Sequence, residues 1–198
     1  MAENSPASEI RHKLADRLFH WSMAICVVGL GVTAFLPIIG IKFEWVPWHW
    51  VLGVLLSVAI LFHIYRGLFV HGLGNMIPRG DDVKEMAKAV TGGTTAGLAA
   101  AKYDVLQKTY HWTVAVTVLA SLVTGLLMLV KIDTVFWKRN PALLSDPTWG
   151  WVYVIHGASA MLLLFLFILH LYFNFRPEHR DLLTAMLRGP GPANARKG

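Results

Sequence analysis

Four stretches of the chain contain no Lys, Arg, Asp or Glu: residues 18–41, 45–65, 109–130 and 147–175, which are 24, 21, 22 and 29 residues long. Each is long enough to cross a hydrocarbon layer as a helix, for which about 20 apolar residues suffice. Within hydrocarbon every backbone amide must be satisfied inside the chain, so such runs are read as helices. The pattern predicts an all-α membrane protein, a four-helix transmembrane bundle in a single domain over 1–198. Its helices are expected at about 17–38, 47–70, 108–130 and 149–174, with a connection over about 71–107. Within that connection, residues 81–90 (DDVKEMAKAV) suggest a short amphipathic helix on a membrane surface, and the GGTTAG that follows reads as a flexible link.

Composition agrees with this picture. Charged residues make up 15% of the chain, against about 25% in ordinary soluble domains, and mean hydropathy is +0.50. Little length remains for a soluble catalytic domain, so large-scale substrate chemistry is expected on another chain. The one cysteine, Cys26, lies inside the first apolar run and reads as a small buried hydrophobe. Intrachain disulfides, thiolate zinc sites and cysteine-ligated iron–sulfur clusters are therefore excluded.

The net charge of +6 invites a nucleic-acid reading, but the basic residues flank the apolar runs, which is how membrane topology is encoded. Fourteen Lys and Arg lie before the first run, between the second and third, or after the fourth; only Lys42, Lys131, Lys138 and Arg139 lie on the other side. The expected orientation is N-in, C-in, with the loops near 40–46 and 131–148 outside and no nucleic-acid partner. The first run is longer than a signal-peptide core and lacks a small-x-small cleavage site before Pro37, so it is expected to be retained. Trp45, Trp48, Trp50, Trp137, Trp149 and Trp151 fit an aromatic belt at the outer interface.

Six of the nine histidines fall in or at the edges of the apolar runs: His20, His49, His63, His111, His156 and His170. Ionisable residues at membrane depth point to function. Both 49 to 63 and 156 to 170 are fourteen residues apart. Fourteen residues fall about 40° short of four turns and rise about 21 Å, so one helix presents two imidazoles on nearly one face, one near each membrane surface. Neutral imidazole is an axial haem ligand, and two from facing helices hold a saturated iron suited to electron transfer. In depth His49 matches His156, while His170 matches either His20 or His63. Zinc usually wants three or four clustered ligands, and the outer layer offers two histidines. A lone membrane histidine also serves as a hydrogen-bonded interior residue, but the paired spacing at two depths favours haem.

The chain carries the elements RLFHW (17–21), WHWVLGV (48–54), KYDVLQKTYHW (102–112), TGLLM (124–128) and IHGASAMLLLFLFILHLY (155–172), in a match that spans about residues 10–180, nearly the whole chain. With them the chain resembles the four-helix cytochrome b subunits of membrane-bound formate dehydrogenases and nickel-iron hydrogenases, within the wider bacterial cytochrome b561 superfamily. The His pair of the last helix and the KY-x-x-x-Q opening of the third are its most specific parts, the latter pointing to the formate dehydrogenase gamma branch. The resemblance implies two b haems, the inner one on His20 and His170 (His63 being the alternative inner ligand) and the outer one on His49 and His156. It also implies a site for menaquinone or ubiquinone beside the inner haem, at Asp104 and Gln107. His111 goes beyond the family pattern and is a candidate proton relay there, since quinone reduction needs two protons and histidine titrates close to physiological pH. The family often has Asn where this chain has Asp104, and a carboxylate there could accept or deliver a proton. Arg17 and Arg66, near the inner helix ends, are candidates for pairing with haem propionates.

The function expected is electron transfer in the bacterial inner membrane, from an outer iron–sulfur subunit and its catalytic partner to the quinone pool on the cytoplasmic side. The alternatives are a hydrogenase cytochrome b subunit, a stand-alone b561-type quinol oxidase or, in another class, a non-redox anchor or transporter. Gly29, Gly31, Gly53, Gly125 and Gly157, inside apolar helices, are expected to permit close approach of a neighbouring helix or a flat macrocycle.

Overall fold

In a computed structural model, residues 14–71 and 105–176 are described without a break, together with 77, 80, 81, 84, 87, 184, 186 and 187; of residues 15, 70, 71 and 105–107 only the backbone is described. Four long helices account for most of these residues: α1 (Leu14–Phe35), α2 (Trp45–Tyr65), α3 (Val105–Leu129) and α4 (Asp146–Phe175). There is no strand among the described residues. All four helices are long and apolar enough to cross a membrane, and the chain is a multi-pass membrane protein.

Proline and glycine set the helix ends. α1 stops at Phe35, two residues before Pro37, whose missing N–H and ring disfavour a further turn. The chain then closes in a Schellman-type turn: Gly40 N–H donates to the Pro37 carbonyl at 3.1 Å and Ile41 N–H to that of Leu36 at 3.0 Å. This needs a left-handed residue, and Gly40 supplies it at φ +93°. In α2 and α4 the prolines Pro47 and Pro147 sit in the first turn, where no intrahelical N–H bond is lost. α2 passes directly into a wider helical turn at Arg66–His71. Of the predicted 81–90 helix, Asp81, Lys84 and Ala87 are described and helical, and the Lys84 ammonium lies 3.7 Å from the Asp81 carboxylate.

The distribution of side chains is that of a helix in lipid. Along α3, Val116, Leu119, Val123 and Leu126 are exposed, whereas Thr117, Val118 and Thr124 are buried. Large apolar side chains face the hydrocarbon, and small or hydroxylated ones line the helix contacts. Four of the buried hydroxyls bond back within their own helices, while that of Ser121 has no hydrogen-bond partner among the described residues. Thr33 donates to the Gly29 carbonyl (2.8 Å), Ser57 to Gly53 (2.7 Å), Thr117 to Thr113 (2.7 Å) and Thr124 to Ala120 (2.6 Å).

The described chain forms two compact units, one of residues 1–52 with 164–198 and the other of residues 53–163. In the first unit, α1 approaches the start of α2 so closely that a Cβ on Gly29 would lie 2.7 Å from Leu52 Cδ1. Arg17 donates from Nε to the Met186 carbonyl at 3.0 Å and from Nη2 to that of Leu187 at 2.6 Å, and Trp21 adds a bond to the Met186 carbonyl at 3.3 Å. These charge-assisted bonds tie the C-terminal residues to the start of α1.

In the second unit, the connection between α3 and α4 is pinned by Asn140 N–H to the Val130 carbonyl (2.8 Å) and by Trp137 Nε1 to that of Leu129 (3.2 Å). Trp149, one of the tryptophans expected at the outer interface, is packed inside the chain and 2% exposed. Its indole N–H donates to the Pro141 carbonyl at 2.8 Å, and the Lys131 ammonium stands 4.7 Å over its ring. An indole whose one polar group is satisfied and whose face carries a cation gains by burial.

Replacing Arg17 with Ala removes both guanidinium bonds, each worth roughly 1 kcal/mol at a partly exposed position. Hydrogen–deuterium exchange should accelerate at residues 184–187, with exchange in α2 and α3 unchanged; equal protection at 184–187 in the two proteins would show that the clamp holds nothing.

Candidate functional site

The sequence singled out six histidines, and within the two units the structure brings four of them into two ring pairs and the other two into bonds with a neighbouring helix. In the first unit, His20 of α1 and His170 of α4 face one another with ring centroids 6.3 Å apart and planes inclined by 47°. Two imidazoles bonded to opposite sides of one metal ion through nitrogens about 2 Å from it have ring centres roughly 6 Å apart. The pair therefore has the spacing of a bis-imidazole site, and its chemistry, two neutral nitrogen donors in an apolar setting, suits haem iron. Asn174, one turn beyond His170, donates from Nδ2 to the His170 carbonyl at 2.7 Å, and the same amide nitrogen lies along the ring, 3.3 Å from Nε2 and 3.4 Å from Nδ1.

His49, in the first turns of α2, bonds through Nδ1 to Thr33 Oγ1 of α1 at 2.8 Å, and the Trp45 ring packs edge-on against it at 6.0 Å. His156 in the second unit has the matching arrangement. Its Nδ1 lies 3.0 Å from Thr124 Oγ1 and 3.1 Å from the Ser121 carbonyl, both on α3. In each case the neighbouring helix engages Nδ1, which is how a metal-ligating imidazole is oriented by the groups behind it.

Glycine makes room for this at Gly125, where a Cβ would lie 3.1 Å from His156 Cε1. Of the glycines singled out in the sequence, Gly29 and Gly125 permit close approach of a neighbouring side chain; Gly31, Gly53 and Gly157 have nothing within 4 Å of a Cβ position, so open space adjoins the helix there.

The second unit also holds a pair that sequence reasoning did not join. His63, near the end of α2, and His111, in the second turn of α3, have ring centroids 6.4 Å apart. Each is close to basic side chains at helical spacing: Arg66 follows His63 by three residues, and the buried Lys108 precedes His111 by three. The Arg66 guanidinium stands 6.0 Å over the Phe62 ring. Of the residues implied for quinone binding, Asp104 lies outside the described residues and Gln107 is described as helical backbone alone. No group of three or more His, Cys, Asp or Glu is arranged to hold a metal ion among the described residues, which leaves the paired histidines as the metal-binding candidates.

Sequence reasoning missed Thr33, Thr124 and Ser121. The only signal available was that two threonines in apolar runs stand beside, or four residues after, a glycine.

The family model described as prokaryotic cytochrome b561 matches residues 11–189. The chain is 26% identical over 182 residues to the formate dehydrogenase cytochrome b556 subunit of Haemophilus influenzae, covering 84% of this chain and 70% of that protein. It is 24% identical over 183 residues to the nitrate-inducible formate dehydrogenase cytochrome b556(Fdn) subunit of Escherichia coli K12, covering 84% of this chain and 77% of that one.

Two glycine substitutions separate a contact from an open position. Gly31→Ala, in open space, should be neutral or stabilising by up to about 1 kcal/mol from helix propensity. Gly125→Val should destabilise by about 1–3 kcal/mol through overpacking against His156. Thermal unfolding in detergent measures both, and equal midpoints for the two variants would refute the close approach at Gly125.

Proposed function

The chain belongs to the prokaryotic cytochrome b561 family, and from that premise we propose that it is the dihaem membrane subunit of a formate-oxidising complex, passing electrons from an outer partner to quinone. Family membership implies haem b. A b haem supplies reversible one-electron chemistry between ferric and ferrous iron when bound. In this reading His20 and His170 are the axial ligands of the inner haem, and His49 and His156 those of the outer one. The observation that carries the reading is the His20–His170 pair, two imidazoles brought to 6.3 Å from helices at opposite ends of the sequence.

Arg17 and Arg66 are assigned to the inner haem's propionates. Arg17 spends two of its five N–H donors on the Met186 and Leu187 carbonyls and has three left for a carboxylate. The family and the names of the two relatives support the partner assignment. Formate oxidation to carbon dioxide on a catalytic subunit releases two electrons and one proton, and an iron–sulfur subunit delivers the electrons to the outer layer.

Quinone reduction to quinol consumes two electrons and two protons. We place it at the start of α3, with Asp104 and Gln107 holding the headgroup and His111, paired with His63, moving protons from the cytoplasmic side. Imidazole suits that role because it gains and loses a proton near neutral pH. The fourteen-to-four division of Lys and Arg supports N-in, C-in orientation in the bacterial inner membrane. Menaquinone and ubiquinone both fit this chemistry.

The test is haem content and reduced-minus-oxidised spectra of the purified protein. Two low-spin b haems per chain are expected, with His156→Ala losing the outer one and His20→Ala the inner one. A His156→Ala protein that keeps two haems and reduces quinone normally would overturn the ligand set. Asp104→Ala and His111→Ala should keep both haems and slow quinone reduction by about 100-fold or more if either group transfers a proton; unchanged steady-state rates in both would remove the quinone site from α3.

A further inference from the structure

Two buried hydroxyls stand where a ligating imidazole needs an acceptor for its second nitrogen. Thr33 and Thr124 are 5% and 6% exposed, and each lies against one of the two histidines assigned to the outer layer.

The proton on His156 can be located. Its Nδ1 is 3.1 Å from the Ser121 carbonyl oxygen. A carbonyl only accepts, so Nδ1 carries the hydrogen and Nε2 carries the lone pair. Thr124 has a single hydroxyl hydrogen, directed to the Ala120 carbonyl at 2.6 Å and shared with that of Ser121 at 3.1 Å. Its oxygen is thus an acceptor for the same Nδ1–H at 3.0 Å.

Thr33 repeats the arrangement in the other unit. Its hydrogen points to the Gly29 carbonyl at 2.8 Å, with that of Leu30 at 3.1 Å, and its oxygen faces His49 Nδ1 at 2.8 Å. Threonine is β-branched and confined to few rotamers in a helix, so the hydroxyl direction is fixed by the helix itself. Glycine at the contact lets the partner helix come close: Gly29 meets Leu52, one turn beyond His49, and Gly125 meets His156. The same three parts, a glycine, a back-bonded threonine and a histidine on another helix, occur once in each unit.

We propose that Thr33 and Thr124 are positioning residues that accept a hydrogen bond from Nδ1–H of His49 and His156, orienting each imidazole with its unprotonated Nε2 as the ligating atom, and that they thereby tune the reduction potential of the outer haem. The proposal rests on the assignment of His49 and His156 as its ligands. An Nδ1–H bonded to an acceptor makes the imidazole a stronger donor. Stronger donation favours ferric over ferrous iron, so the two bonds lower the potential of that haem and removing either acceptor raises it. In Thr124→Val the Ser121 carbonyl still accepts, so the tautomer survives there and part of the shift is retained.

The experiment uses full-length protein in detergent, as Thr33→Val and Thr124→Val, with Thr→Ser at each position as the rescue. Valine keeps the shape and removes the acceptor, so a packing role alone would leave the potential unmoved. Redox titration and low-temperature electron paramagnetic resonance are the readouts, with haem content measured alongside. The expected result is an upward shift in the midpoint potential of the same one of two haems in both Val variants. The g-values of that haem should change as well, and Ser should restore both. A Val variant that loses one haem and regains it as Ser would also support the proposal.

Wild-type potentials and spectra in both Val variants, with two haems bound, would overturn the positioning role and leave the ligand assignment standing. Shifts falling on two different haems, haem loss that Ser does not rescue, or wild-type protein without haem would overturn the assignment and the proposal with it.

Discussion

Hydrocarbon offers no hydrogen-bond partner, so an N–H or O–H at membrane depth gains by finding an acceptor on the chain, and most of the described structure, the Ser121 hydroxyl excepted, is organised around that requirement. The helices meet it for the backbone. Among side chains it produces a hierarchy: threonine and serine hydroxyls turn back to the carbonyl four residues earlier, which leaves their oxygens as acceptors, and imidazole nitrogens from neighbouring helices take up those acceptors. The hydroxyl that settles its own hydrogen within one helix is thereby prepared to settle a second one on the next. Where the polar group is an indole, the same rule applies, as Trp149 shows by reaching a carbonyl in the loop that precedes its helix.

The packing follows from this. Helices in lipid gain nothing by hiding leucine from an equally apolar surround, so contacts form where backbones approach closely. Gly29 and Gly125 are such places, and each lies beside a threonine that bonds to a histidine. Close approach and hydrogen bonding are therefore one feature. A residue larger than glycine would move the helices apart, lengthening the bond between hydroxyl and imidazole, while a residue without a hydroxyl would leave an imidazole N–H facing an apolar wall.

The two imidazole pairs show how far geometry alone can carry a functional assignment. His20 with His170 and His63 with His111 have nearly equal ring separations, 6.3 and 6.4 Å. Separation by itself therefore does not distinguish a pair that holds iron from one that passes protons. Their settings differ: the first joins the two ends of the sequence, with Asn174 anchored beside it, and the second adjoins basic residues at one end of α2 and α3.

Much of this was legible in the sequence. Runs of uncharged residues specify transmembrane helices because hydrocarbon admits hardly any other structure, and the fourteen-residue spacing of 49 to 63 and 156 to 170 specifies a shared face because a helix has a fixed period. Histidine at such positions stands out because it is expensive in lipid. What only the tertiary structure decided is which group stands behind each histidine. Thr33 and His49 are sixteen residues apart on different helices, and Thr124 and His156 thirty-two, so no helical period relates them. Apart from a nearby glycine, nothing local marks Thr33 or Thr124 off from Thr113 or Thr117, which also bond back within α3. The pairing of His63 with His111 and the grip of Arg17 on the Met186 and Leu187 carbonyls are of the same kind, contacts set by how helices meet rather than by any pattern along one of them.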